Sequence, residues 1–134
     1  QTVIAGHKGA VERACEACKA RGAKRAVLLP VSAPFHSSLL KPAADRLAIA
    51  LTDIAIATPT IPVINNVDVA IETDPAKIKD ALVRQAAKPV RWVEIIQKMA
   101  SMGVTTAAEC GPGKVLAGLT RRRQAEQTLF MEAA

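Results

Sequence analysis

A single histidine, His36, is the strongest candidate for chemistry in this sequence. It lies where an apolar run ends, a turn bounded by two prolines follows, and a helical pattern begins. Open α/β sheets place their reactive side chains at the carboxyl ends of strands, and imidazole exchanges protons near neutral pH. The pattern therefore predicts a general base at His36, with a structural histidine at a helix start as the alternative.

A base of this kind needs a nucleophile, and none of the familiar arrangements is found in the sequence. The Gly-x-Ser-x-Gly turn of the α/β hydrolases is absent. Ser37 and Ser38 adjoin His36, but neighbours in sequence rarely have the geometry for proton transfer, so both are predicted to cap the following helix. His7 has no companion motif and is predicted to be structural.

Two further motifs look like binding sites and fail a closer test. Cys15 and Cys18 have the spacing of a zinc knuckle or a redox pair, yet no second pair completes a tetrahedral site. The segment 111–114, Gly-Pro-Gly-Lys, resembles a phosphate loop, but its glycine spacing differs and Val115 stands where Ser or Thr should bind magnesium. We therefore expect no metal and no cofactor, and a tight turn from strand to helix at 111–114, whose helix amino terminus favours an anion.

Composition narrows the class of protein. The 134 residues are 50% hydrophobic, enough for one domain or a piece of a larger one, and the strand-like start without methionine favours a piece. No apolar run approaches the ~20 residues that span a membrane, and no signal-peptide pattern is present. The net charge is +6, but only 2% of residues are aromatic, which argues against single-strand nucleic-acid binding. Three cysteines without a disulfide framework favour a reducing cytoplasm.

Strand and helix patterns alternate along the chain. Strand patterns lie at residues 3–5, 26–31, 63–67, 104–110 and 129–131. Helical patterns lie at residues 8–21, 40–54, 74–87, 89–103 and 114–123. Asp74 followed by Pro75 is a strong helix start, an N-cap with proline in the first turn. The alternation predicts an α/β fold, with an open, largely parallel sheet flanked by helices.

Several motifs in a fixed order carry a resemblance that covers nearly the whole chain. They are residues 3–7, 30–37, 41–45, 62–68, 82–85, 89–92 and 109–116. With these motifs the chain resembles the carboxyl-terminal portion of the malonyl-CoA:acyl-carrier-protein transacylases of bacterial fatty-acid synthesis. The resemblance implies malonyl-CoA and acyl carrier protein as partners, and the composition predicts neither nucleic acid nor membrane as a partner.

The resemblance implies a two-step acyl transfer through a serine ester, with His36 as the base. It also implies that the backbone carbonyl of Gln85, in the motif Arg84-Gln85, orients the imidazole in place of a carboxylate. The family's serine motif, its Gly-Gln-Gly loop and its malonyl-binding arginine have no counterpart in this sequence. The isolated chain is therefore expected not to transfer malonyl groups.

The resemblance also implies a division of the chain. Residues 1–31 would be the later half of a small ferredoxin-like subdomain, and residues 32–134 the carboxyl-terminal part of the α/β acyltransferase core. Two other interpretations stay open: an acyltransferase domain of a polyketide synthase, and a non-catalytic binding module that kept the fold.

Overall fold

A computed structural model describes residues 2–121 and 130–133 of the chain. The chain forms two compact units, of which the first ends at Val90 and the second begins at Arg91. Among the described residues, no helix has both the length and the apolar character needed to cross a membrane.

Apart from one isolated β-bridge, the regular secondary structure described in the first unit is helical. Its elements are α1 (Lys8–Ala20), a short 3-10 helix (Ser38–Leu40), α2 (Lys41–Ala50) and α3 (Pro75–Ala87). Helices α2 and α3 pack against each other, and each buries one alanine, Ala44 and Ala81 respectively. Small side chains at a helix contact allow a close approach of the two backbones.

The start of α3 follows the sequence prediction, because its local signals are complete. The Asp74 side chain accepts a hydrogen bond from the backbone N–H of Ala76 at 2.8 Å, and Pro75 occupies the first turn. Proline has no N–H to leave unsatisfied there, and its φ suits the helix. Helix α2, in contrast, ends at Ala50, before the predicted end at Ile54, and a turn follows.

Three predicted strands of the first unit are wrong as strands. Residues 3–5 and 26–31 are not in a ladder, and residues 63–67 contribute only one antiparallel bridge, between Ile64 and Ile71. A strand is stabilised by hydrogen bonds to a neighbouring strand, and the described part of this unit places no strand beside these segments. Four side chains of the segment 26–31 are consequently more than half exposed: Val27, Leu28, Leu29 and Val31.

The second unit contains a parallel β-α-β arrangement. After α4 (Trp92–Ser101), strand β1 (Thr106–Glu109) pairs in parallel with β2 (Phe130–Ala133), and α5 (Val115–Arg121) contacts both strands. This agrees with the predicted α/β class and with strands at 104–110 and 129–131, although Leu129 lies outside the described residues. Residues 122 and 123 of the predicted last helix also lie outside them.

The turn between β1 and α5 is closed by a carboxylate. Gly111 and Gly113 have φ of 144° and 98°, values that glycine adopts without the steric cost of a side chain. The Glu109 carboxylate accepts hydrogen bonds from the backbone N–H groups of Leu116 at 3.1 Å and Ala117 at 2.9 Å. The anion expected at this helix amino terminus is therefore the chain's own Glu109, as favoured by orphan N–H groups and the helix dipole.

The Glu109 contacts predict a pH dependence of stability. Hydrogen bonds from the N–H groups of Ala117 and Leu116 lower the pKa of Glu109 below its ordinary value. A carboxyl with a lowered pKa in the folded state stabilises it above the unfolded pKa, and this contribution is lost as pH falls through the folded pKa. We expect the urea midpoint of unfolding, measured by the fluorescence of Trp92, to decrease as the pH is lowered through the folded pKa of Glu109.

A Glu109→Gln variant isolates that contribution. Its midpoint should lie below that of the parent near neutral pH, and the difference should shrink as the medium is acidified. Glu94→Gln controls for loss of a negative charge near a helix amino end, since Glu94 lies in the first turn of α4 and its carboxylate contacts Arg91. A constant difference between the parent and Glu109→Gln at all pH values would contradict the capping role.

Candidate active site

His36 lies in a tight turn that fixes its backbone. The Ser37 hydroxyl donates a hydrogen bond to the carbonyl of Pro34 at 2.7 Å, and the N–H of Leu40 donates to the carbonyl of Ser37 at 3.0 Å. Within this turn His36 has φ of 57°. A non-glycine residue in this region stores strain that persists only where the surroundings enforce it, and such residues cluster at functional sites.

The capping prediction for the two serines is only partly right. Ser37 is the N-cap residue of the 3-10 helix by position, but its side chain makes no capping bond. Its hydroxyl instead bonds back to Pro34 and closes the turn around His36. Ser38 is the first residue of the 3-10 helix.

The imidazole of His36 meets the carboxyl end of α3. Its Nδ1 lies 3.0 Å from the carbonyl oxygen of Gln85 and 3.2 Å from that of Lys88. Carbonyl oxygens only accept hydrogen bonds, so the contact favours the tautomer with hydrogen on Nδ1 and a lone pair on Nε2. Gln85 lies in the last turn of α3, where carbonyls lack a donor within the helix. The histidine therefore satisfies an otherwise orphaned acceptor.

The same turn of α3 carries an arginine with three short ionic contacts. Nη1 and Nη2 of Arg84 donate to the two carboxylate oxygens of Asp68 at 2.7 and 2.6 Å, and Nε donates to Asp80 at 2.7 Å. Hydrogen bonds to Asp68 and then to Asp80 raise the pKa of Arg84 above its ordinary value. The sequence motifs 62–68 and 82–85 contain both partners, but their spacing alone did not indicate the pair.

No hydrogen bond links the other candidate side chains of the described first unit to the His36 ring. His7 is the N-cap residue of α1 and its side chain makes no capping bond. Cys15 and Cys18 lie in α1 as free thiols. Across the part of the chain that the structure describes, no group of three or more His, Cys, Asp or Glu side chains is placed to hold a metal ion.

A cavity of about 60 Å³ lies beside Gln85. Asn65, Ile78 and Leu82 are among its lining residues. Sites for drug-sized ligands are roughly 300 Å³ or larger, so this cavity does not hold an acyl-coenzyme A. What the first unit brings together at this point is the His36 ring and the backbone carbonyl of Gln85.

Known proteins are similar to this chain in sequence and in fold. No family model matches the chain. The malonyl CoA-acyl carrier protein transacylase of Salmonella typhimurium is 61% identical over 122 residues, covering 91% of this chain and 40% of that protein. The corresponding transacylase of Bacillus subtilis is 48% identical over the same length, covering 38% of that protein. The chain is homologous to the carboxyl-terminal part of these transacylases.

Solved structures extend the agreement to the fold. The acyl-carrier-protein S-malonyltransferase of Burkholderia pseudomallei superposes with a TM-score of 0.89 at 59% identity, covering 96% of this chain and 41% of that one. The transacylase of Coxiella burnetii gives a TM-score of 0.90 at 43% identity, over 96% of this chain and 40% of its own. The α/β transacylase fold predicted from the sequence is thereby confirmed. The chain spans about 40% of the length of the transacylases it matches.

The φ of His36 predicts an unusual response to substitution. Left-handed backbone costs a residue with a side chain ~1–2 kcal/mol, more than the ~0.4–1 kcal/mol by which glycine favours the unfolded chain. Both His36→Gly and His36→Ala remove the imidazole, so their difference reports the backbone alone. We expect His36→Gly to be the more stable of the two by about 0.5–1 kcal/mol, measured by urea unfolding.

The neighbouring residue provides a matched control. Ser37 has φ of −129°, which any residue adopts, so Ser37→Ala should be more stable than Ser37→Gly. If alanine is favoured equally at both positions, the left-handed conformation of His36 is not present in solution.

Proposed function

We propose that this chain supplies the general base of a malonyl transfer from coenzyme A to the phosphopantetheine thiol of acyl carrier protein, in fatty-acid biosynthesis. The observation that carries the proposal is the 3.0 Å contact between Nδ1 of His36 and the Gln85 carbonyl. It leaves Nε2 free to accept a proton. The 61% identity to a malonyl transacylase supplies the class of reaction.

In the proposed first half-reaction, Nε2 of His36 takes the proton of a serine hydroxyl as its oxygen attacks the malonyl thioester. The carbon–sulfur bond breaks, the coenzyme A thiolate receives the proton, and the malonyl group remains as a serine ester. In the second half, His36 takes the proton of the carrier thiol, and the thiolate attacks the ester. The proton then returns to the serine oxygen, so each half-reaction leaves His36 neutral.

Gln85 acts in this proposal through its main chain. A base that must accept a proton on Nε2 needs its Nδ1–H held by an acceptor, the role that a buried aspartate has in Ser-His-Asp triads. The carbonyls of Gln85 and Lys88 occupy that position here. The orienting group is therefore an uncharged dipole at the end of a helix.

The nucleophile is proposed to lie outside this sequence. No Gly-x-Ser-x-Gly motif is present, and the apolar segment 26–31 is exposed and unpaired. Both observations support a chain that packs with further elements of a transacylase fold. Within that fold we propose residues 1–31 as part of a ferredoxin-like subdomain and residues 32–134 as part of the core. Three free cysteines support a cytoplasmic location.

One solved structure supports a second candidate acceptor for the malonyl group. The structure of a type II polyketide acyl carrier protein in complex with its malonyl-transacylase contains a chain 52% identical to this one, with a TM-score of 0.91 over 96% of this chain and 41% of that one. Malonyl delivery to a polyketide carrier is therefore the second candidate, with the same role for His36.

A chimera tests the proposed role of His36. This chain replaces the matching segment of the Escherichia coli transacylase, which is 60% identical to it over 122 residues. We expect the chimera to transfer malonyl from malonyl-CoA to acyl carrier protein, as followed by intact mass of the carrier. His36→Ala should lower kcat/KM by ~10²–10⁴-fold, the usual contribution of a general base.

The second histidine of the sequence is the matched control. His7 is exposed at the start of α1, so His7→Ala should change kcat/KM by about twofold at most. Comparison of fatty-acid and polyketide carriers as acceptors separates the two candidate recipients. A folded but inactive chimera would favour the interpretation of the chain as a non-catalytic binding module. A His36→Ala chimera with unchanged activity would exclude His36 as the general base.

The isolated chain should not be acylated. With no nucleophile elbow in the sequence, incubation with malonyl-CoA should leave its intact mass unchanged, because loss of the nucleophile removes the covalent route. A stable adduct of one malonyl group, mapped by peptide mass spectrometry to Ser37 or Ser38, would overturn this expectation.

A further inference from the structure

The contact between Arg84 and Asp68 joins two parts of the first unit. Both Nη atoms of Arg84 donate to the two carboxylate oxygens of Asp68, at 2.7 and 2.6 Å. This paired geometry fixes direction as well as distance. The two residues are 16 positions apart, so the contact ties the last turn of α3 to the loop before that helix.

The loop that carries Asp68 is internally braced. The Asn65 side chain accepts from the N–H of Asp68 at 2.8 Å and donates to the carbonyl of Ala70 at 3.0 Å. The backbone N–H of Asn65 donates to the same carbonyl at 2.9 Å. Val69 has φ of 59°, a strained value for a β-branched residue that the surrounding contacts must enforce. Asp68 is thus a fixed anchor for Arg84.

We propose that Arg84 and Asp68 are a positioning pair, which holds the last turn of α3 so that the Gln85 carbonyl points at Nδ1 of His36. Arg84 directly precedes Gln85 in the chain, and terminal helix turns fray when nothing restrains them. The His36 ring is held by backbone carbonyls, so the pair acts on it through the backbone. Its importance for catalysis rests on the proposed function, whereas its effect on the His36 ring does not.

Asp80 makes a useful contrast with Asp68. Its carboxylate also accepts from Arg84, at 2.7 Å, but it lies one turn earlier on the same helix. Removing Asp80 takes a carboxylate from Arg84 and leaves the connection between helix and loop intact. Removing Asp68 takes the same charge and breaks that connection. The two substitutions therefore separate positioning from the charge balance of Arg84.

The test compares Asp68→Asn, Asp80→Asn and Arg84→Lys in the full chain labelled with ¹⁵N. Ring-nitrogen NMR spectra report how much of His36 carries hydrogen on Nδ1. For Asp68→Asn and Arg84→Lys we expect the ratio of the Nδ1–H to the Nε2–H tautomer to fall by roughly twofold or more, the lower range of coupling between contacting residues. Asp80→Asn should keep the parent ratio, and so should Gln85→Ala, which retains the backbone carbonyl.

Thermal melting separates positioning from stability. The Arg84 and Asp68 side chains are 37% and 36% exposed, so solvent screening limits their effect on unfolding. All variants should melt within a few degrees of the parent. Equal tautomer shifts for Asp68→Asn and Asp80→Asn, or none for Asp68→Asn and Arg84→Lys, would overturn the proposal. Unfolding of both Asp68→Asn and Arg84→Lys would assign the pair to stability alone and would also overturn it.

The same variants in the chimera separate this proposal from the proposed function. Asp68→Asn should lower kcat and leave KM unchanged, because a misdirected base affects the chemical step. A tautomer shift in an inactive chimera would leave the positioning pair standing and contradict the transfer function. An active chimera whose kcat and tautomer ratio do not respond to Asp68→Asn would contradict the positioning pair and leave the transfer function standing.

Discussion

The hydrogen bond between Nδ1 of His36 and the Gln85 carbonyl is the interaction on which the candidate site depends. Each partner of this hydrogen bond is energetically unfavourable without the other. The turn holds His36 at φ of 57°, which costs backbone energy, and the last turn of α3 ends in carbonyls without helical donors. Where the two meet, the ring fills the vacant acceptor and the helix end fixes the ring. The orientation of the ring is obtained without a buried charge, whose desolvation is costly.

Carboxylates brace helix ends in both units, but they do so by different means. Glu109 contacts the amino end of α5 through backbone N–H groups, so the interaction depends on its own charge. Asp68 reaches the carboxyl end of α3 through the Arg84 side chain, because a carboxylate facing helix carbonyls directly would be repelled. The arginine therefore lets an acidic loop hold a helix end that is itself negative.

Local chemistry decided how much of the fold could be predicted from sequence. Asp74 and Pro75 define the start of α3 without help from distant residues, as do the glycines of the turn before α5. The strand patterns at 3–5 and 26–31 did not produce strands, because a ladder also needs a partner, which no local pattern specifies. The contact between His36 and Gln85 spans 49 residues. Only the family resemblance indicated it, and the Arg84–Asp68 contact was missed altogether.

The exposed segment 26–31 has a consequence for how the isolated chain behaves in concentrated solution. Exposed apolar backbone without a strand partner is a template for pairing with other copies, the route to β-rich aggregates. Pro30 interrupts this template, because it offers no N–H to a growing ladder and its ring restricts the backbone. Pro30 therefore makes the exposed segment 26–31 less prone to pair with the same segment of another copy of the chain.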